Sequence, residues 1–133
     1  FVREAKDIEL AKKYIDDFGG NIPVIAKIEK PQAVENLDEI LTSPDLDLVY
    51  LGAYDISISL GLAGQINHPK VIEVLDKCID KINLAGKIVG AMYHTQEDYE
   101  RFTQQGVNFL VYKVDSLIIN EGLEQIRKVR NKK

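Results

Sequence analysis

The chain has 133 residues, with 17 lysines and arginines against 21 aspartates and glutamates, a formal charge of −4 with both histidines neutral. At 45 % hydrophobic and 29 % charged it has the composition of one globular domain with enough apolar residues for a core, and no signature of disorder. Its mild acidity, with both signs interspersed, excludes the basic footprint of a nucleic-acid binder or of a protein drawn to an anionic membrane.

Taken in chain order, Asp7 to Phe18 places Ile8, Ala11, Tyr14, Ile15 and Phe18 on one helical face, with Gly19-Gly20 as its stop. Ile22 to Ile28, rich in β-branched residues, reads as a buried strand that tolerates Pro23 at its start. Pro31 opens a second helix, lined inside by Ala33, Val34, Leu37, Ile40 and Leu41. Leu48 to Leu51 is a second strand, and the glycines and polar residues of the following GAYDISISLGLAGQINHP mark an extended loop of the kind that carries function. Lys70 to Ala85 has Val71, Leu75, Cys78, Ile79 and Ile82 at helical spacing, with Gly86 as cap. Ile88 to Tyr93 is a third strand. Thr95 then caps a short helix whose buried side is Tyr99 and Phe102. Phe109 to Tyr112 is a fourth strand, and Asp115 or Ser116 caps a last helix through Leu117, Ile118, Leu123, Ile126 and Val129.

This α(βα)₄ order implies a parallel sheet with right-handed crossovers, either an open doubly wound sheet or half of a (β/α)₈ barrel. No G-x-G-x-x-G fingerprint follows the first strand, which weakens a nucleotide-binding version of the open sheet. In both folds chemistry belongs at the carboxyl ends of the strands, here Lys27 to Glu29, Gly52 to Asp55, Tyr93 to His94 and Lys113 to Asp115. Strand alternation puts Ile25, Lys27 and Glu29 on one face, and a buried strand that ends in Lys-x-Glu needs a partner for its carboxylate. Asp55 follows the next strand, within reach of Glu29 if the two strands are neighbours, and two strand-end acids suit a hard divalent cation. The plainer alternative also stands: Glu29 pairs with Lys27, and Asp55 caps a loop turn.

The run IAKIEKPQAVENLDEIL (Ile25 to Leu41), followed by YLGAYDISISLGL (Tyr50 to Leu62) and HPKV (His68 to Val71), resembles the metal-dependent class II pyruvate aldolases of the HpcH/HpaI aldolase and citrate lyase family. The resemblance implies the C-terminal half of a (β/α)₈ barrel, with residues 1–133 a single half-barrel domain cut from a longer protein. It also implies an Mg²⁺ or Mn²⁺ ion held by Glu29 and Asp55, and a 2-oxo acid such as pyruvate held at Gly52, Ala53, Tyr54 and Asp55, its carboxylate on the amides of Tyr54 and Asp55. The chain departs from the family pattern at Ala53, where proline is usual, and at Ile56, where leucine is. Nothing before Phe1 supplies the histidine and arginine of the family's first barrel half, so the isolated chain is expected to have little activity. AKIE followed by P-x-x-V-x-N-x-x-E-I also looks like pyruvate kinase, in which such a lysine assists proton transfer, although that enzyme's second motif does not match LGAYDIS.

Lys27 and His94 are the candidate catalytic groups, with Lys27 read first as the charge partner of Glu29 and His94 as a polar strand-end residue. His68 and Asp115 read as helix-start residues, and Tyr54 as the tyrosine placed to reach a ligand. Cys78 lies on an apolar helix face, and a single cysteine excludes an internal disulfide and points to a reducing cytoplasm. No apolar stretch approaches the ~18–20 residues of a membrane span. A half barrel leaves two sheet edges and one apolar face open, so a homo-oligomer is expected, and a non-catalytic assembly domain with a relic metal site is the competing reading.

Overall fold

The computed structural model describes residues 2–17 and 22–130. Helix α1 (Ala5–Asp17) starts two residues earlier than the periodicity implies, because the Asp7 carboxylate accepts the N–H groups of Arg3 (2.7 Å) and Glu4 (3.1 Å) across the first turn. Those bonds, the Arg3 amide first, hold the Asp7 carboxyl below its ordinary range. Ile8 is buried and Ile15 half-buried, but Ala11 and Tyr14 are exposed, and the expected stop at Phe18 to Gly20 lies outside the described residues. Strand β1 (Ile25–Ile28) is shorter than Ile22 to Ile28. Pro23 cannot donate to a ladder, and the Val24 N–H is taken by the Asp47 carboxylate at 2.7 Å.

The single second helix read from the sequence is two, α2 (Pro31–Glu35) and α3 (Leu37–Leu41). The break is at Asn36, which leaves helical geometry (φ −89°, ψ 11°) and donates its Nδ2 to the carbonyl of Arg3 at 3.1 Å. Ala33, Leu37, Ile40 and Leu41 are buried nevertheless. After β2 (Leu48–Leu51) the segment read as an extended loop begins instead with a helix, α4 (Ala53–Ser59), which buries Ile56 and Ser57. Helix α5 (Pro69–Leu84) buries all five residues of its expected face, and His68 caps it by accepting the Lys70 N–H on Nδ1 at 3.2 Å. Then come β3 (Ile88–Tyr93), α6 (Gln96–Gln104), β4 (Phe109–Tyr112) and α7 (Asp115–Arg130). Thr95 and Asp98 form the capping box of α6, which buries Phe102 but leaves Tyr99 40 % exposed against the ring of Tyr93. Asp115 opens α7 and accepts the Ser116 N–H, yet none of the helix is buried: Leu117, Ile118, Leu123, Ile126 and Val129 all remain exposed.

The strands form one parallel sheet in the order β1-β2-β3-β4, with Ala26 level with Val49 and Val89, and Lys27 level with Tyr50, Gly90 and Phe109. Each crossover steps the same way, as in a barrel, and the order never reverses as it does at the switch point of a doubly wound sheet. The two faces agree with that. Ala26, Ile28, Val49, Leu51, Val89 and Ala91 are buried in one core with Ile40, Val71 and Ile79 from the helices. Ile25, Ile88 and Phe109 stand nearly half exposed on the other face, where the Tyr50 ring meets Phe109 edge-on over Gly90. A Cβ at Gly90 would lie 2.9 Å from Tyr50 Cδ2, so this packing needs glycine. Val89, one residue out of phase with Ile88, is fully buried on the helix side. The fold is therefore α/β, four parallel strands of a partial (β/α)₈ barrel covered by helices on one face.

Candidate active site

The alternation of β1 sends Ala26 and Ile28 into the core and Lys27 to the open face, and the chain beyond Ile28 carries Glu29 at the carboxyl end of the strand. Glu29 is 4 % exposed. Its Oε2 atom is buried and makes no well-oriented hydrogen bond, although the Lys27 ammonium lies 2.8 Å away. From the neighbouring strand, Gly52 carries the chain off β2 in a non-helical conformation (φ −90°, ψ 78°) and starts α4, with Asp55 in its first turn. Asp55 Oδ2 is 3.9 Å from the same ammonium. Lys27, Glu29 and Asp55 thus meet at one point, although the first and last lie 28 positions apart in the chain. The close contact with the Glu29 carboxylate, with the charges of Glu29 and Asp55 behind it, raises the lysine above its ordinary range, and burial only partly opposes this.

Gly52 matters for space. A Cβ there would stand 3.0 Å from Glu29 Cβ and 3.5 Å from both Glu29 Oε2 and Lys27 Cε, so the carboxylate and the lysine stem pack against bare backbone. The first intrahelical bond of α4 runs from the Ile56 N–H to the Gly52 carbonyl (3.0 Å), so the amides of Ala53, Tyr54 and Asp55 have no partner within the helix. Ser59 ties the site together from the far end of α4: its hydroxyl donates to the Asp55 carbonyl at 2.7 Å and lies 3.4 Å from the carbonyl of Glu29.

A cleft of about 340 Å³ opens over these residues. Lys27, Gly52, Ala53, Tyr54 and Asp55 line one side and His94 the other, at the end of β3, where its N–H and that of Thr95 donate to Asp98 Oδ2. Tyr50 lines the floor, and its phenol is raised above the ordinary range by burial, which outweighs the nearby Lys27 ammonium. Leu51, Ile66, Met92, Val114 and Leu117 add an apolar lining that was not legible in the sequence, where such residues look like core. Gly64 also lines the cleft, with Tyr54 Cε2 3.0 Å from where its Cβ would stand. Of the other strand-end candidates, Lys113 turns to α7, where both carboxylate oxygens of Glu121 lie within 2.7 Å. His68 and Asp115 stay at their helix starts, and the buried Cys78 lies on α5.

Among the described residues no group of three or more His, Cys, Asp and Glu side chains is placed to hold a metal ion. The carboxylate pair fits a hard cation all the same: Mg²⁺ commonly takes only one or two protein carboxylates, and the buried Glu29 Oε2 accepts no well-oriented hydrogen bond and is met by the Lys27 ammonium. No helix among the described residues is long and apolar enough to cross a membrane.

A partial (β/α)₈ barrel with acids at the carboxyl ends of adjacent strands defines a class, and comparison with known proteins narrows it. The HpcH/HpaI aldolase/citrate lyase family matches over residues 1–120, and the chain belongs to that family. The 2-keto-3-deoxy-L-rhamnonate aldolase of Escherichia coli strain K12 is 29 % identical over 114 residues, which are 86 % of this chain and 43 % of that enzyme. A variant of the citrate synthase SbnG superposes with a TM-score of 0.85 at 25 % identity, covering 98 % of this chain and 61 % of that one. The HpcH/HpaI aldolase from Desulfitobacterium hafniense DCB-2 gives 0.76 at 26 % identity, covering 90 % and 46 %. The chain spans less than half the length of the curated relative it matches.

Proposed function

We propose that this chain is one half-barrel domain of a metal-dependent aldolase, a lyase that makes or breaks a carbon–carbon bond beside a 2-oxo acid such as pyruvate. In this reading Glu29 and Asp55 are the protein ligands of one Mg²⁺ or Mn²⁺ ion. The observation that carries it is the convergence of two carboxylates, one of them buried, on a single position already occupied by positive charge. A relative named as a 2-keto-3-deoxy acid aldolase supports the substrate class.

When bound, the ion supplies Lewis-acid stabilisation of the negative charge that develops on the 2-oxo oxygen. The rest falls to the chain's own residues. The free amides of Tyr54 and Asp55 receive the substrate carboxylate, with Gly52 and Ala53 shaping the floor beneath it. The apolar side chains of Met92, Val114 and Leu117 line the cleft and give the reacting carbon a less polar setting than bulk water. Of the groups that line the cleft, Lys27 and His94 are the candidates to carry a proton, with His94 at the end of β3.

Mn²⁺ binding to the full-length protein, followed by electron paramagnetic resonance, tests the ligand pair. Asp55→Ala is expected to weaken binding by at least ~10-fold, or 1.4 kcal/mol, with an unchanged far-UV circular dichroism spectrum. Pyruvate release from a 4-hydroxy-2-oxo acid should fall in parallel. Mn²⁺ affinity indifferent to Asp55→Ala would dismiss the pair as ligands.

A further inference from the structure

The positive charge between Glu29 and Asp55 is the protein's own. Lys27 and Glu29 leave β1 two residues apart on one face, so the ammonium folds back along the strand to within 2.8 Å of the buried Oε2, and the same nitrogen is the one that Asp55 approaches at 3.9 Å. The two partners differ sharply in freedom. The Glu29 side chain is 5 % exposed and packed against the bare backbone of Gly52, whereas the Lys27 side chain is 54 % exposed, on a flexible four-carbon stem. One group is fixed and the other is able to leave.

We infer that Lys27 is a resident counter-cation, which compensates the Glu29–Asp55 pair in the metal-free protein and which a divalent metal ion must displace in order to bind. This rests on the reading of Glu29 and Asp55 as metal ligands and deepens it. A buried carboxylate without a counter-charge is costly, and a second carboxylate beside it adds repulsion, so the metal-free site needs a cation. A divalent ion placed on the same oxygens repels an ammonium held within 4 Å of them. Both cannot stay. The exchange needs only a rotation of the lysine stem toward solvent, with no bond made or broken, and its consequence is a threshold: the metal binds more weakly than the same two carboxylates would hold it without the lysine.

The test is Mn²⁺ binding to the full-length protein in the wild type, Lys27→Met, Lys27→Gln and Lys27→Arg, with Lys27→Met combined with Glu29→Gln as control. Two neutral variants are used so that the comparison survives if one of them fails to fold. Loss of the competing charge is expected to tighten Mn²⁺ binding by ~10-fold or more in the Met and Gln variants, while Arg, which keeps the charge, stays within about threefold of wild type. The metal-free Met variant should also melt below the wild type, and Mn²⁺ should restore the difference. Unchanged or weaker Mn²⁺ binding in the neutral variants, together with loss of binding in the Glu29→Gln control, overturns the inference and leaves the metal site standing. Binding that survives Glu29→Gln, or no binding in any form, overturns the metal site and the inference with it.

Discussion

Cys78 and Glu29 show how the same burial acts on two acids. Cys78, 2 % exposed on the inner side of α5, has its thiol pushed up to about 11 by burial, with Lys81 pulling the other way. A thiol raised in the folded state is more readily ionised in the unfolded chain, whose cysteine titrates near ~8.5. Its protonated form therefore contributes full stability below that pH, and the contribution is lost as pH rises from ~8.5 toward 11, at up to ~1.4 kcal/mol per pH unit. Urea midpoints of wild type and Cys78→Ala should run parallel at pH 6–8 and converge above ~8.5, and a midpoint difference that stays constant to pH 11 would contradict this. Glu29 is buried as deeply but finds a lysine two residues away. That pairing was legible in the sequence, because strand alternation fixes which side chains share a face. The approach of Asp55 to the same point needed only adjacent parallel strands. The apolar walls at Met92, Val114 and Leu117 were not legible, since an apolar residue facing a cleft carries the same pattern as one facing a core.

The elements that read true are those with long apolar periodicity: α5 buries every residue its spacing assigns, and the four strands fall where β-branched runs end in polar residues. Elements decided by a single tertiary contact did not. Asn36 breaks α2 from α3 to reach the carbonyl of Arg3, and no local signal announces that bond. Helix α4 is AYDISIS, whose serines and β-branched isoleucines have weak helix propensity, and it is held by what it touches. Ser57 is the main clasp. Fully buried, it donates to the Tyr54 carbonyl at 2.6 Å and accepts the Gly64 N–H at 2.9 Å, so the loop at 60–68 is tied to the helix that carries Asp55. Ser57→Ala leaves that amide without its acceptor and is expected to cost about 1–2 kcal/mol in urea unfolding. Hydrogen exchange at the Gly64 amide should speed up at the same time. Protection that persists in the variant would mean the loop is secured elsewhere.

The whole molecule presents a sheet with one face covered and one open. Ile25 and Ile88 are each 47 % exposed and Phe109 44 %, and they lie in a sheet whose edge strands β1 and β4 pair with nothing further among the described residues. The apolar side of α7 is exposed as well, with Ile126 at 67 % and Val129 at 71 %. Burying apolar surface contributes ~25 cal/mol per Å², and open sheet edges attract further strands, so chains of these 133 residues should gain by meeting each other. The solved relatives are longer, this chain covering 61 % of one and 46 % of the other. In such a barrel the open face described here would meet further strands. Sedimentation equilibrium of the 133-residue chain at micromolar concentration is therefore expected to show a mass above 15.0 kDa. Replacing Ile25, Ile88 and Phe109 by threonine should shift it toward the monomer and weaken hydrophobic-dye binding. These three residues stand on the open face and add nothing to the core under the helices, so the far-UV spectrum of the triple variant should keep its α/β shape. A wild-type chain that sediments as a monomer and binds no dye would show that the open face is covered from within.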